Sequence, residues 1–214
     1  MYSKEELIEI QEKLKKRIIL NDVLPQEIKT IAGVDQAFLE DRIISAIVVC
    51  DASSMNVVEK KYVVAKTNFP YISGFLSFRE GPAIIKVFKK LQNTSDVLLV
   101  DGNGILHPRG VGLASHVGFI LNIPTIGIAK SLLCGKFKKV KDVGSYSPVI
   151  YGGKTIGYAY KSKEKCKPIF ISPGHKVSLN TSMKMVKECI GKHKLPIPLR
   201  LAHIHANEIK MKLS

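Results

Sequence analysis

The sequence predicts an α/β fold: a mixed sheet in which three antiparallel strands precede parallel ones, flanked by helices, with a small C-terminal α+β extension. Three observations carry this. Strand-like segments at 30–38, 42–50 and 56–66 follow one another across the short polar turns Glu40-Asp41 and Asp51-Ala52-Ser53-Ser54, the pattern of an antiparallel meander. From Asn56 to Lys130 strands alternate with helices, which implies parallel pairing. Beyond Lys130 the chain returns to a hairpin, a single strand and two helices. A length of 214 residues suits one domain over 1–214, large enough to bury roughly 70% of its unfolded surface.

Taken in order, Ser3 to Leu20 reads as an amphipathic covering helix. Ser3 is a cap, Glu5 and Glu6 fall in the first turn, and Leu7, Ile10, Leu14 and Ile18 recur on one face. In the first strand, Thr30 to Phe38, Asp35 is a lone acid amid apolar residues. Asn68 to Glu80 follows the meander as an aromatic-rich loop, and Gly81-Pro82 is placed at the start of a helix that buries Ile84, Ile85, Phe88 and Leu91, leaving Glu80 at its N-terminus. Val97-Leu98-Leu99-Val100 is a short β-branched run suited to a strand covered on both faces, and it stops at Asp101-Gly102-Asn103-Gly104. A helix-like segment bracketed by Gly110, Gly112 and Gly118 runs to Asn122, and Pro124 to Ala129 is a further buried strand ending at Lys130. A hairpin around Gly152-Gly153, a strand at 167–171, a turn at Ser172-Pro173-Gly174-His175, a helix capped by Ser178 or Asn180 and a last helix after Pro196 complete the chain.

The charge is one-sided: 33 Lys+Arg against 18 Asp+Glu give a net +15. Between Lys130 and Lys194 lie 15 Lys and only Asp142, Glu164 and Glu188 as acids, so this third of the chain supplies +12. Such an excess points to a polyanion, most simply nucleic acid, or to a lysine-rich solvated surface. No apolar run approaches the ~20 residues of a membrane span, and residues 1–16 are too charged for a signal peptide, so a cytoplasmic protein with no membrane partner is expected. Cys50, Cys134, Cys166 and Cys189 lack zinc or disulfide spacing and are read as reduced and packed.

Open α/β sheets place ligands outside the carboxyl ends of their strands. Asp101 stands at such an end, and if its strand neighbours the first one, Asp35 and Asp101 converge within roughly 5 Å laterally. Paired carboxylates form a metal site or an acid/base pair, and Mg²⁺, which takes one or two carboxylates plus waters and phosphate oxygens, suits a phosphodiester on a basic protein. A meander followed by βαβ, with acids on the first and fourth strands, is the arrangement of ribonuclease H-like nucleases.

Six motifs in order narrow this further: Gly33-Val34-Asp35; Pro70-Tyr71-Ile72-Ser73-Gly74-Phe75-Leu76-Ser77-Phe78-Arg79-Glu80-Gly81-Pro82; Asp101-Gly102-Asn103-Gly104 with His107-Pro108-Arg109; Gly112-Leu113-Ala114-Ser115-His116; Gly127-Ile128-Ala129-Lys130; and Ser172-Pro173-Gly174-His175. Together they closely resemble the endonuclease V family of deoxyinosine 3′-endonucleases, over nearly the whole chain. Ser73 departs from the family's usual PYIPG loop by removing a proline. The resemblance implies that Asp35 and Asp101 bind Mg²⁺, or Mn²⁺ in its place, with Glu80 completing the acidic cluster directly or through water; a plain helix-terminal charge is the alternative for Glu80. It implies that Lys130 sits near the scissile phosphate and that His203 plays a metal- or water-associated part, whereas His205 is read as non-catalytic. Tyr71 resembles the family's wedge into the duplex. Gly74, Leu76, Gly102, Gly112 and Leu113 fall where the family binds the base. Phe75 and Phe78 are read as core, and His107, His116 and His175 as structural or chemical.

The implied activity is hydrolysis of the second phosphodiester 3′ of deoxyinosine in DNA, leaving 3′-hydroxyl and 5′-phosphate ends, by a monomer. An inosine-specific endoribonuclease is the near alternative. A non-catalytic nucleic-acid-binding module would account for the charge but not for the placement of three acids, and a sugar-kinase or ATPase relative lacks its glycine-rich phosphate loops.

Overall fold

The computed structural model describes residues 3–214. Helix α1 (Lys4–Lys15) opens with a reciprocal capping box, in which the Ser3 hydroxyl accepts from the Glu6 N–H and the Glu6 carboxylate accepts from the Ser3 N–H. It ends before Leu20 and buries Leu7, Gln11 and Leu14, so its inner stripe carries an amide in place of Ile10.

Strands β1 (Thr30–Leu39), β2 (Arg42–Asp51) and β3 (Val57–Lys66) form the expected antiparallel meander. Strand β4 (Val97–Asp101) pairs parallel to β1 with Val34 opposite Val100, and β5 (Thr125–Ala129) pairs parallel to β4. Strands β6 (Tyr146–Tyr151), β7 (Lys154–Tyr160) and β8 (Ile169–His175) do not stand apart as a separate layer. They continue the same eight-stranded sheet, ordered β3-β2-β1-β4-β5-β8-β7-β6, with β8 antiparallel to β5. Parallel pairing is confined to the centre, where both faces are covered.

Helices α2 (Leu76–Phe88) and α3 (Leu113–Leu121) cover one face, packing Ile84, Val87 and Val117 on Val34, Leu98 and Val100. Helices α4 (Leu179–Glu188) and α5 (Ile197–Leu213) cover the other, packing Met183, Val186 and Leu199 on Ile31, Leu99 and Ile128. Side chains alternate along a strand. Asp35 and Asp101, two positions beyond Gly33 and Leu99, therefore both face the α5 side.

Two local expectations are corrected. Helix α2 begins at Leu76, a turn and a half before Gly81, and contains Pro82 in its interior. Proline removes one helical hydrogen bond, but the burial of Phe75 and Ser77 anchors the added first turn. Glu80 thus belongs to the helix's buried stripe and not to its N-terminus. The second correction concerns 172–175, which is no turn: β8 runs through it, pairing His175 with Thr125 and Pro173 with Ile126, with Gly174 as the extra residue of a bulge. A bulge accommodates a proline that could not donate to a regular ladder.

Candidate active site

The central parallel strands set the geometry. Because Val34 lies opposite Val100, the next residues, Asp35 and Asp101, stand side by side, Asp35 in the middle of β1 and Asp101 at the C-terminal end of β4. Asp35 is 5% exposed. Its Oδ1 accepts from the Gln36 N–H at 2.7 Å and its Oδ2 meets His203 Nδ1 at 2.6 Å.

His203 is brought there by close packing of backbones. A Cβ on Gly33 would lie 2.3 Å from backbone atoms of Pro198 and Leu199, so only glycine lets the first turn of α5 settle on β1. Four residues along a helix advance about 6 Å, and two along a strand about 6.6 Å. The contact of Gly33 with Leu199 is therefore repeated one step on by Asp35 with His203. The amide of Asn207 approaches the far ring nitrogen, Nε2, at 3.3 Å, which assigns the Nδ1 proton to the bond with Asp35.

Glu80 approaches the same two acids from α2, where it is buried in register with Ala83, Ile84 and Val87. Burial first, and then the charges of Asp101 and Asp35, push its carboxyl up to about 7, with Arg79 opposing. Burial and Asp35 likewise push Asp101 up to about 6 against the pull of Lys130. The Lys130 ammonium, just past β5, pairs with Asp101 Oδ2. Burial works against its charge, but Asp101 and Asp35 outweigh that and hold it above its ordinary value.

These groups suit a hard dication. Among the described residues no three acidic, histidine or cysteine side chains are gathered closely enough to hold an ion. Two carboxylates are nevertheless a usual protein contribution to Mg²⁺, the remainder being water and phosphate oxygen. The upward push on Asp101 and Glu80 comes first from burial and then from the neighbouring carboxylates, and a cation would relieve the second of these.

The carboxylates open into a cleft of about 640 Å³. Of the residues singled out from the sequence, Asp35, Glu80, Asp101 and Lys130 line it together with Gly74, Leu76, Gly102, Gly112, Leu113 and Tyr71. His203 acts on the cleft through Asp35 instead of lining it. Leu76 and Leu113 are the first residues of α2 and α3, and neither helix has a side-chain cap, so two helix N-termini offer backbone N–H groups at this end of the molecule. Tyr71 is 71% exposed.

The sequence profile of the family described as Endonuclease V matches residues 12–204. The chain is 42% identical over 206 residues to the Endonuclease V of Dictyoglomus turgidum, covering 96% of this chain and 90% of that protein. It superposes on the crystal structure of the Bacillus subtilis Endonuclease V with a TM-score of 0.94 at 38% identity, over 100% of this chain and 94% of the other. The chain belongs to the endonuclease V family. A Ciona intestinalis member, solved in complex with a 24mer DNA containing an inosine followed by a ribo-adenosine, matches with a TM-score of 0.87 at 30% identity over 98% of each chain.

Against this family background the histidines separate. His107 is 3% exposed; burial pushes it down to about 4, and it serves as a neutral ring accepting from the Arg109 N–H on Nδ1 and donating from Nε2 to the Gly74 carbonyl. Burial also pushes His116 down to about 4, where its ring stands edge-on to Phe78. His175 accepts from the Ile19 N–H, fixing the segment after α1. His205 turns to Tyr62 and Glu208, away from the acids. Phe75 is buried and Phe78 half-buried, in one aromatic cluster. The four cysteines are free thiols, with Cys50 and Cys189 buried. No helix among the described residues is long and apolar enough to cross a membrane. Sequence reasoning missed Gln11 and Ser77, both of which line the cleft and are buried. The signal for Gln11 was a polar residue at helical spacing between Leu7 and Leu14.

Proposed function

We propose that this chain is a divalent-metal-dependent endonuclease acting on inosine-containing DNA, cutting the second phosphodiester 3′ of the lesion to leave 3′-hydroxyl and 5′-phosphate ends. The observation that supports it most directly is the convergence of Asp35, in the middle of β1, with Asp101, at the end of the adjacent β4, in one cleft with a pocket bounded by two uncapped helix N-termini.

Asp35 and Asp101 would hold the ion, which when bound supplies charge stabilisation for a phosphodiester and its leaving oxygen. His203 orients Asp35 by donating from Nδ1. Lys130, its ammonium at the cleft and kept charged by the two acids, binds a non-bridging phosphate oxygen. Glu80, whose carboxyl sits near neutrality in the metal-free cluster, can hold or release a proton beside the reacting group. The N–H groups at Leu76 and Leu113 suit the carbonyl of an extruded hypoxanthine, and Tyr71 suits the space the base leaves. Extrusion costs a few kcal/mol, less for an inosine pair than for a sound one, which places selectivity in the pocket and not in the metal site.

The test is cleavage of matched deoxyinosine DNA, inosine RNA and undamaged controls with Mg²⁺, Mn²⁺ or chelator. Metal-dependent cutting of the deoxyinosine strand at the second bond is expected, and no cutting of any inosine substrate would overturn the proposal. An inosine-directed endoribonuclease is the second reading, favoured by the ribonucleotide beside inosine in the Ciona complex; cutting confined to RNA would decide for it.

A further inference from the structure

The inner stripe of α1 is where a covering helix should be apolar throughout. At its centre the Gln11 side chain has no exposed surface, flanked by Leu7 and Leu14. Burying an amide without partners is costly, and every polar atom of this one is used. Its Nε2 donates to the Gly74 carbonyl at 3.0 Å and to the Val111 carbonyl at 3.4 Å, and its Oε1 accepts from Arg109 Nε at 2.5 Å.

Of those partners Gly74 lines the cleft, and Arg109 and Val111 belong to the segment that leads into Gly112 and Leu113, which line it as well. Gly74, at φ +82°, is the sharp bend between Tyr71 and the first turn of α2, and Val111 immediately precedes Gly112 and Leu113. Gly74 has left-handed backbone geometry, and its carbonyl receives three donors from elsewhere: Gln11 Nε2, His107 Nε2 at 3.0 Å and Arg109 Nη2 at 2.7 Å. The guanidinium is also seated over the Phe75 ring, 4.4 Å from its centroid. Gln11 therefore acts twice, directly on the carbonyl and through the Arg109 fork that it orients. A carbonyl with two lone pairs is saturated by three donors, which makes Gly74 a fixed point of the pocket wall and leaves recognition to the neighbouring N–H groups.

We infer that Gln11 is a positioning residue for base selection: it ties the Gly74 wall to the Val111–Leu113 wall, so that α1 sets the width of the pocket and the stance of the Tyr71 loop. This rests on the proposed reading of the cleft as an inosine pocket.

The experiment compares wild type with Gln11→Met, similar in shape but unable to bond, and with Gln11→Glu, which keeps the acceptor for Arg109 and loses both donors. Binding under Ca²⁺, which commonly supports nuclease binding without turnover, is measured to an inosine duplex and to the same duplex undamaged. Amide exchange of residues 71–76 is followed with no substrate present. Gln11→Met should lose about tenfold in preference for inosine, the size expected for one or two buried hydrogen bonds. Affinity for the undamaged duplex should stay within about twofold, and exchange in 71–76 should quicken by about tenfold. Gln11→Glu, which turns a carboxylate oxygen toward the Gly74 and Val111 carbonyls, should lose at least as much, and it alone is read by the same criteria where the Met variant does not fold. Unchanged preference with unchanged exchange, or equal loss on both duplexes, would overturn the inference. A wild type that shows no preference for inosine would count against the functional reading instead, and the exchange comparison, which uses no substrate, would still decide the tether.

Discussion

His203 Nδ1 lies 2.6 Å from Asp35 Oδ2, joining residues 168 apart in sequence. Partners of this kind orient carboxylates that hold metal, and their loss typically costs about 10–100-fold in metal affinity or activity. His203→Ala should fall in that range for Mn²⁺ affinity measured by titration calorimetry, with inosine-duplex binding little changed. Metal affinity equal to wild type would remove His203 from the site.

Asp35→Ala and Asp101→Ala should each abolish metal-dependent cleavage while inosine duplexes still bind, because these carboxylates repel phosphate instead of gripping it. Gel-resolved cleavage together with binding by fluorescence anisotropy checks both halves. Near wild-type cleavage by either variant would show the acid pair to be structural.

Glu80 gives a pH signature in the metal-free protein. Its carboxyl rises from 4.5 unfolded to about 7 folded. A raised value means stability that is fully present below 4.5 and lost as pH climbs through about 7. Glu80→Gln removes that dependence, so relative to the variant the wild type should lose about 3 kcal/mol between pH 4.5 and about pH 8. Urea melts of both proteins measure it. His107 and His116, pushed down to about 4, destabilise both proteins alike on the acid side and cancel in the difference. Saturating Mg²⁺ should shrink the loss by neutralising the cluster.

The exposed lysines 136, 138 and 139 precede β6, and the latter two border a shallow groove with Lys141 and Tyr146. Replacing 136, 138 and 139 by Gln should lower the slope of log affinity against log salt by about two to three, roughly one for each phosphate no longer neutralised. The inosine preference should not move. An unchanged slope would mark these lysines as solvated surface.

Tyr71 should matter most where a gap must be filled. Stacking of a base on an aromatic ring is worth roughly 1–3 kcal/mol, so Tyr71→Ala should weaken binding to duplex inosine by about tenfold or more and to single-stranded inosine by less. Equal losses on both substrates would reduce it to an ordinary loop aromatic.

What the sequence determined by itself was whatever depends on period and local chemistry. Strand-like runs separated by short polar turns marked β1 to β3, short β-branched runs marked β4 and β5, the Ser3 cap with acids in the first turn marked the start of α1, and the interruption of apolar runs by acids located Asp35 and Asp101. Tertiary structure decided everything that required a distant partner. Phe75 and Ser77 hold a helical turn ahead of Gly81-Pro82 only because they are buried. Ser172-Pro173-Gly174-His175 is strand and not turn because β5 supplies a bulged ladder for it. Gly33 brings α5 close enough for His203 to meet Asp35, and Gln11 is placed on the inner stripe of α1 by acceptors and a donor from two other segments, Gly74 and Arg109–Val111. The physical reason is common to all four: a hydrogen bond or a buried contact is made with whatever the fold brings near, and its energy exceeds the fraction of a kcal/mol by which local preferences differ.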